Sequence, residues 1–119
     1  MSEREWRFYL DDMTVFAEKV LAYTQGFDQA RFEASGLTCD ATLRNLELLG
    51  EAATHIPAEI RRSDPSIPWR KIIAIRNRLI HAYLPPNQVC SFVRVLPYLG
   101  VQNVEYAGLN PTLYLRVIN

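Results

Sequence analysis

The sequence predicts an all-α fold over residues 1–84, followed by an atypical, irregular tail over residues 85–119. In three separate segments of the first part, apolar residues recur every three or four positions, as on one face of a helix. Glycine and proline lie between those segments. The number of charged residues falls from 23 in the first 84 to 3 in the last 35. An altered reading frame would produce such an abrupt change of composition.

The first helix is predicted over residues 2–25. Ser2 and Glu5 have the spacing of a capping box, in which each side chain bonds the other residue's backbone. Gly26 is a plausible helix end, and residues 28–34 predict one further helical turn closed by Ser35 and Gly36. One apolar stripe follows the cap: Trp6, Leu10, Met13, Ala17 and Val20.

The second helix is predicted over residues 40–56, with Asp40 as its N-cap. Pro57 lies inside the apolar pattern and should kink or break the helix. Residues 63–66 read as a loop. The apolar positions are Leu46, Leu49, Ala53, Ile56 and Ile60.

The third helix is predicted to begin near Pro68 and to end before Pro85 and Pro86. Beyond these prolines, residues 89–96 and 112–118 are rich in β-branched and aromatic residues and favour strands.

Composition excludes several classes of protein. A chain of 119 residues with 49% hydrophobic residues is one domain with a real core, and it is not disordered. Cys39 and Cys90 are too few for a disulfide framework or a cysteine-rich zinc site. With no signal-peptide core and no membrane-length apolar run, we expect a cytoplasmic protein that makes no contact with membranes.

The net charge of zero hides an uneven distribution. Residues 1–60 contain five Lys or Arg and eleven Asp or Glu, whereas residues 61–84 contain six Lys or Arg and one Asp. A polyanion would dock on the basic segment. The alternative is a basic face that is merely solvated.

Arg76 occupies an unexpected place in the third helix. At about 100° per residue, it lies at the centre of the apolar stripe formed by residues such as Trp69, Ile72 and Tyr83. A buried guanidinium is costly unless it is paired or lines a cleft. Asn77 and His81 lie together at one edge of this stripe. These polar groups span too much of one helix for a single pocket, and fit a cleft between two helices across a dimer axis.

These side chains suit RNA cleavage without a metal or other cofactor. Histidine exchanges protons near neutral pH, and arginine offers a fixed charge and forked donors to phosphate. A base takes the proton of a 2′-hydroxyl, which attacks the adjacent phosphorus while a cation holds the developing charge. The alternative is an Arg–Asn–His network that only caps the end of a helix.

The segment Arg76-Asn77-Arg78-Leu79-Ile80-His81-Ala82-Tyr83 resembles the R-N-x-x-x-H-x-Y motif of HEPN domains of the HepT type. Residues 45–53 resemble that family's second helix with its Gly-Glu-Ala sequence, and residues 67–73 its I-P-W-x-x-I lead-in. The resemblance covers residues 4–84. Past Tyr83 the chain departs from the family, whose members continue with an acidic loop and one more amphipathic helix.

The resemblance implies an antiparallel helical bundle that dimerises and cleaves RNA as the toxin of a toxin–antitoxin pair. Its partner would be an MNT-type nucleotidyltransferase antitoxin, which transfers AMP units from ATP onto Tyr83. Arg76 and His81 would be catalytic, and Asn77 and Glu51 would support them.

Several residues stay open at this stage. Glu51 is either functional, or solvated or paired with an arginine. His55 precedes the predicted helix break and is interpreted as structural. The basic residues Arg70, Lys71 and Arg78 are predicted to contact RNA. The alternative function is a non-catalytic helical module that binds a nucleotidyltransferase or RNA.

Overall fold

The computed structural model describes residues 2–81, and this part of the chain folds into five α-helices and no strands. The all-α prediction is therefore confirmed for these residues. Tyr83, the predicted strands and the predicted tail lie outside them. The helices are α1 (Glu3–Thr24), α2 (Gln29–Ala34), α3 (Gly36–Thr54), α4 (Ala58–Ser63) and α5 (Trp69–His81).

The capping box at the start of α1 is confirmed. The Ser2 Oγ accepts a hydrogen bond from the Glu5 backbone N–H at 3.3 Å. The Ser2 N–H in turn donates to the Glu5 Oε2 at 2.7 Å. The bond from the Ser2 N–H favours the ionised carboxylate, and together with the nearby Ser2 side chain it lowers the pKa of Glu5 below its ordinary value. The helix ends at Thr24, and Gly26 follows with a positive φ of 77°.

The start predicted for the second long helix at Asp40 is wrong, because α3 begins at Gly36. Ser35 is its N-cap, and the Ser35 Oγ accepts a hydrogen bond from the Thr38 N–H at 3.3 Å. The earlier start places Cys39 in the core, fully buried, and leaves Asp40 on the exposed face. The predicted break is confirmed, since α3 ends at Thr54 and Pro57 is the N-cap of α4.

Helix α3 is the central element, with α1 packed on one side and α5 on the other. Its apolar residues meet those of both neighbours in a single hydrophobic core. This burial is the main stabilising term of the fold. Fully buried members include Leu10 and Met13 from α1, Leu46 and Leu49 from α3, and Ile72 from α5.

The loop before α5 is fixed by its own side chains. The indole Nε1 of Trp69 donates to the Asp64 carbonyl at 3.2 Å, and the Trp69 ring is buried. Ile67 is also buried. These contacts fix where α5 begins. They thereby determine which part of α3 lies opposite Arg76. Within residues 2–81, no helix combines the length and apolar character that a bilayer crossing requires.

Candidate functional site

The site begins with an unusually close approach of α3 and α5 at Gly50. A Cβ added to Gly50 would lie 2.2 Å from the Cβ of Arg76 and 2.9 Å from the carbonyl oxygen of Ile72. Real Cβ atoms do not approach other atoms so closely, so any larger residue would push the helices apart. Gly50 therefore allows the backbone of α5 to carry Arg76 directly against α3.

Arg76 is held by two side chains. Its Nη2 lies 2.6 Å from the Oε2 of Glu51, and its Nη1 donates to the Oδ1 of Asn77 at 2.7 Å. The side chain is 24% exposed, so the guanidinium borders solvent. Its Nε is buried and has no hydrogen-bond partner within the described part of the chain. The guanidinium is thus fixed in direction, with capacity for another acceptor.

Glu51 also contacts a second residue of its own helix. The Oε1 of Glu51 lies 3.4 Å from the Nε2 of His55, one turn further along. The His55 ring stacks on Tyr9 of α1, with ring centroids 4.4 Å apart and planes within 9°. A continuous row of contacts therefore runs from Tyr9 through His55 and Glu51 to Arg76, and it joins all three long helices.

The structure answers two questions that the sequence left open. Arg76, at the centre of the apolar stripe, is paired rather than unpaired, and its partner is Glu51. Glu51 therefore takes the arginine-paired arrangement. Asn77 is exposed and contacts Arg76, a contact that its helical position about 100° away did not predict. His81 ends α5, but its side chain lies outside what the structure describes.

The predicted RNA-contacting residues lie on the outer face of α5. Arg70, Lys71 and Arg78 are all exposed. On the helix they lie between about 120° and 220° from Arg76, on the side turned away from the core. This basic face adjoins the edge that carries Asn77. A polyanion lying along α5 would meet the basic face and the border of the Arg76 site together.

Sequence reasoning missed three residues of this site. Gly50 had a usable signal, because a glycine inside a long helix costs stability and needs a reason such as close packing. His55 also had one, because it lies four residues after Glu51 and such residues are neighbours on a helix. Tyr9 had none, because only the packing of α1 on α3 brings it to His55.

Comparison with known proteins identifies the family. The family described as Ribonuclease HepT-like matches residues 13–93, which include Gly50, Glu51, His55, Arg76 and Asn77 but not Tyr9. The chain belongs to the Ribonuclease HepT-like family. The resemblance seen in the motif around Arg76 is therefore confirmed.

Curated relatives within this family carry ribonuclease names. The chain is 34% identical to "Putative RNase MJ1380" of Methanocaldococcus jannaschii over 70% of this chain and 76% of that protein. It is 36% identical to "Probable ribonuclease HepT" of Thermococcus cleftensis over 68% of this chain and 74% of that protein. A relative from Caldanaerobacter subterraneus, "Putative RNase TTE0752", is 31% identical over 68% of this chain and 72% of its own. No solved structure matches the chain significantly.

Proposed function

We propose that this protein is a metal-independent endoribonuclease. The observation that carries the proposal is the Arg76 guanidinium, fixed by Glu51 and Asn77 at the border of an exposed basic helix face. Membership of the Ribonuclease HepT-like family and the ribonuclease names of its relatives support the same function.

In the proposed reaction, His81 takes the proton of an RNA 2′-hydroxyl. The 2′-oxygen then forms a bond to the adjacent phosphorus, and the bond from phosphorus to the 5′-oxygen breaks. The leaving 5′-oxygen receives a proton from water, His81 returns the proton it took to solvent, and the products are a cyclic phosphate and a 5′-hydroxyl. Arg76 stabilises the negative charge that builds on the phosphate oxygens.

A homodimer is part of this proposal. On one helix, Arg76 and His81 lie about 140° apart, so a single chain does not easily direct both at one phosphate. Two copies that meet along α5 would place each Arg76 near the edge of the partner helix that carries His81. Light scattering should show a dimer, and a monomer that still cuts RNA would contradict this arrangement.

We further propose that the protein is the toxin of a toxin–antitoxin pair. An MNT-type nucleotidyltransferase would transfer AMP from ATP onto the phenol of Tyr83, releasing pyrophosphate. The added phosphates would engage Arg76 and repel the RNA backbone. Mass spectrometry after incubation with the cognate nucleotidyltransferase and ATP should show added AMP units, absent in Tyr83→Phe. Modified protein that cleaves RNA at an unchanged rate would overturn this control mechanism.

The direct test of catalysis compares RNA cleavage by the purified protein with Arg76→Ala and His81→Ala. Both variants should lose activity by about 100-fold or more, while circular dichroism shows the same helix content. EDTA should leave the rate unchanged, and the products should end in cyclic phosphate. Equal cleavage by all three proteins would refute the catalytic roles. RNA binding without cleavage would favour the alternative of a non-catalytic binding module.

A further inference from the structure

His55 lies beside the Arg76 site, although the motif around Arg76 does not include it. It is the C-cap residue of α3, and its ring is 41% exposed. Stacking on Tyr9 fixes the plane of the imidazole. The ring is therefore held in place and remains open to solvent.

The carboxylate of Glu51 has two oxygens and two partners. Its Oε2 makes the short contact with Arg76, at 2.6 Å, and its Oε1 makes the longer contact with His55, at 3.4 Å. Glu51 therefore partly neutralises the guanidinium that an RNA phosphate would need. Any group that draws Glu51 towards itself makes Arg76 more available to phosphate.

We propose that His55 is a positioning residue that controls, through Glu51, how strongly Arg76 binds an RNA phosphate. The inference rests on the proposed ribonuclease function, in which Arg76 meets the phosphate. Within residues 2–81, the titratable groups in contact with His55 are Tyr9 from α1 and Glu51 from α3, and Arg76 from α5 lies beyond Glu51.

The direction of the effect follows from charge. A neutral imidazole makes only a weak contact with Glu51, so the carboxylate stays on Arg76. A protonated imidazole makes a charge-assisted bond with Glu51, which is shorter and stronger. The carboxylate then shifts towards His55, and Arg76 is freed for phosphate. Because coupling between two sites is reciprocal, phosphate bound to Arg76 favours proton uptake by His55.

The binding test uses a fluorescein-labelled RNA oligonucleotide and the full chain carrying His81→Ala, which blocks cleavage and removes a second titrating histidine. Affinity is measured from pH 8 to pH 6, with and without an added His55→Phe change. Phenylalanine keeps a flat ring on Tyr9 but has no ring nitrogen. The gain in affinity on acidification should be about fivefold larger when His55 is present. Identical gains would overturn the inference.

A second measurement follows His55 itself and does not depend on the His55→Phe variant. At pH 6.5, the ring protons of His55 in the NMR spectrum should move towards the protonated form when the oligonucleotide is added. The same addition to a Glu51→Gln chain should leave them unchanged, since a neutral amide cannot pass on the effect. The proposed coupling would be contradicted if the His55 ring-proton shifts do not change in the chain that retains Glu51. An equal change in Glu51→Gln would also contradict it.

The two proposals fail in different ways. In one outcome, Arg76→Ala reduces cleavage but His55→Phe does not change its pH profile. This result would refute the role of His55 and still support the ribonuclease function. Coupling between RNA and His55 in a chain that cuts no RNA supports the role of His55 in binding and refutes the ribonuclease.

Discussion

The two faces of α3 are built on different physical principles. Towards α1 the contact of α3 is stabilised by the burial of apolar side chains, among them Leu10 and Met13 of α1. Towards α5 it also presents Gly50 and Glu51, which let that helix come close and hold Arg76. Both faces contribute to the hydrophobic core, and the second also determines where the charged groups lie. Substitutions on the two faces should therefore have separable consequences.

The largest effect on stability is expected from Leu10→Ala on the α1 face. Leu10 is only 1% exposed, and truncating a buried leucine costs about 2–5 kcal/mol of unfolding free energy. Ribonuclease activity per folded molecule should persist at low temperature. The free energy of unfolding is measured in urea. Leu37→Ala is the matched control, because Leu37 is exposed. This control should lower the free energy of unfolding by less than about 0.5 kcal/mol. Equal losses in both variants would contradict the assignment of the core.

Gly50→Ala tests the α5 face and should change both properties. The new methyl group must displace Arg76 or the α5 backbone, at a cost of about 1–3 kcal/mol. RNA cleavage should fall even where the protein remains folded, because the guanidinium moves. Gly36→Ala is the control, since a Cβ there meets nothing within 4 Å. The two alanine variants should differ in thermal unfolding and in the initial rate of RNA cleavage. Full activity in Gly50→Ala would show that cleavage does not need the close packing of α3 and α5.

Ser35→Ala addresses the start of the helix that both faces share. Loss of the hydrogen bond from the Thr38 N–H to Ser35 should cost about 1 kcal/mol. Asp40→Ala should cost much less, because Asp40 is an exposed residue inside the helix. Neither change should alter the rate of cleavage per folded molecule. The free energy of unfolding is measured in urea. A larger decrease in Asp40→Ala than in Ser35→Ala would show that α3 begins at Asp40, as the sequence predicted.

The smallest effect is expected at the exposed start of α1, far from either face. The lowered pKa of Glu5 means that its carboxylate stabilises the fold above pH 4.5, the ordinary value, and that this contribution is lost as the pH falls through the lowered value. Glu5→Gln should therefore be less stable than the unaltered chain at pH 6, and the gap should close in more acidic solution. The free energies of unfolding of the two proteins are compared between pH 6 and pH 3. A constant difference over this range would rule out the contribution of Glu5.

Local features were predictable from the sequence, and contacts between helices were not. The cap formed by Ser2 and Glu5 and the break at Pro57 depend on neighbours in the chain, and both are confirmed. The start of α3 is ambiguous in the sequence because Ser35 and Asp40 are both good N-cap residues. The folded structure separates the two residues, because the Ser35 Oγ caps the helix and Cys39 is buried in the core.

The candidate site shows the same limit. The place of Arg76 within an apolar stripe signalled that it needed a partner, but 25 positions separate it from Glu51. The pairing depends on how α3 and α5 pack, which helical periodicity does not specify. Family resemblance indicated Glu51 and helical spacing could have indicated His55, whereas Tyr9 is brought to the site only by the folded arrangement.

The buried indole of Trp69 has an optical consequence. Its Nε1–H is bonded to the Asp64 carbonyl, and its ring is shielded from water, whereas Trp6 is only half-buried beside Arg7 near the other end of the chain. The two tryptophans, the only ones in the sequence, therefore emit from different surroundings. Trp69 therefore reports on the start of α5 and Trp6 on the start of α1, each at a different emission wavelength. Detachment of either helix can thus be followed by light alone, without any dye attached to the chain.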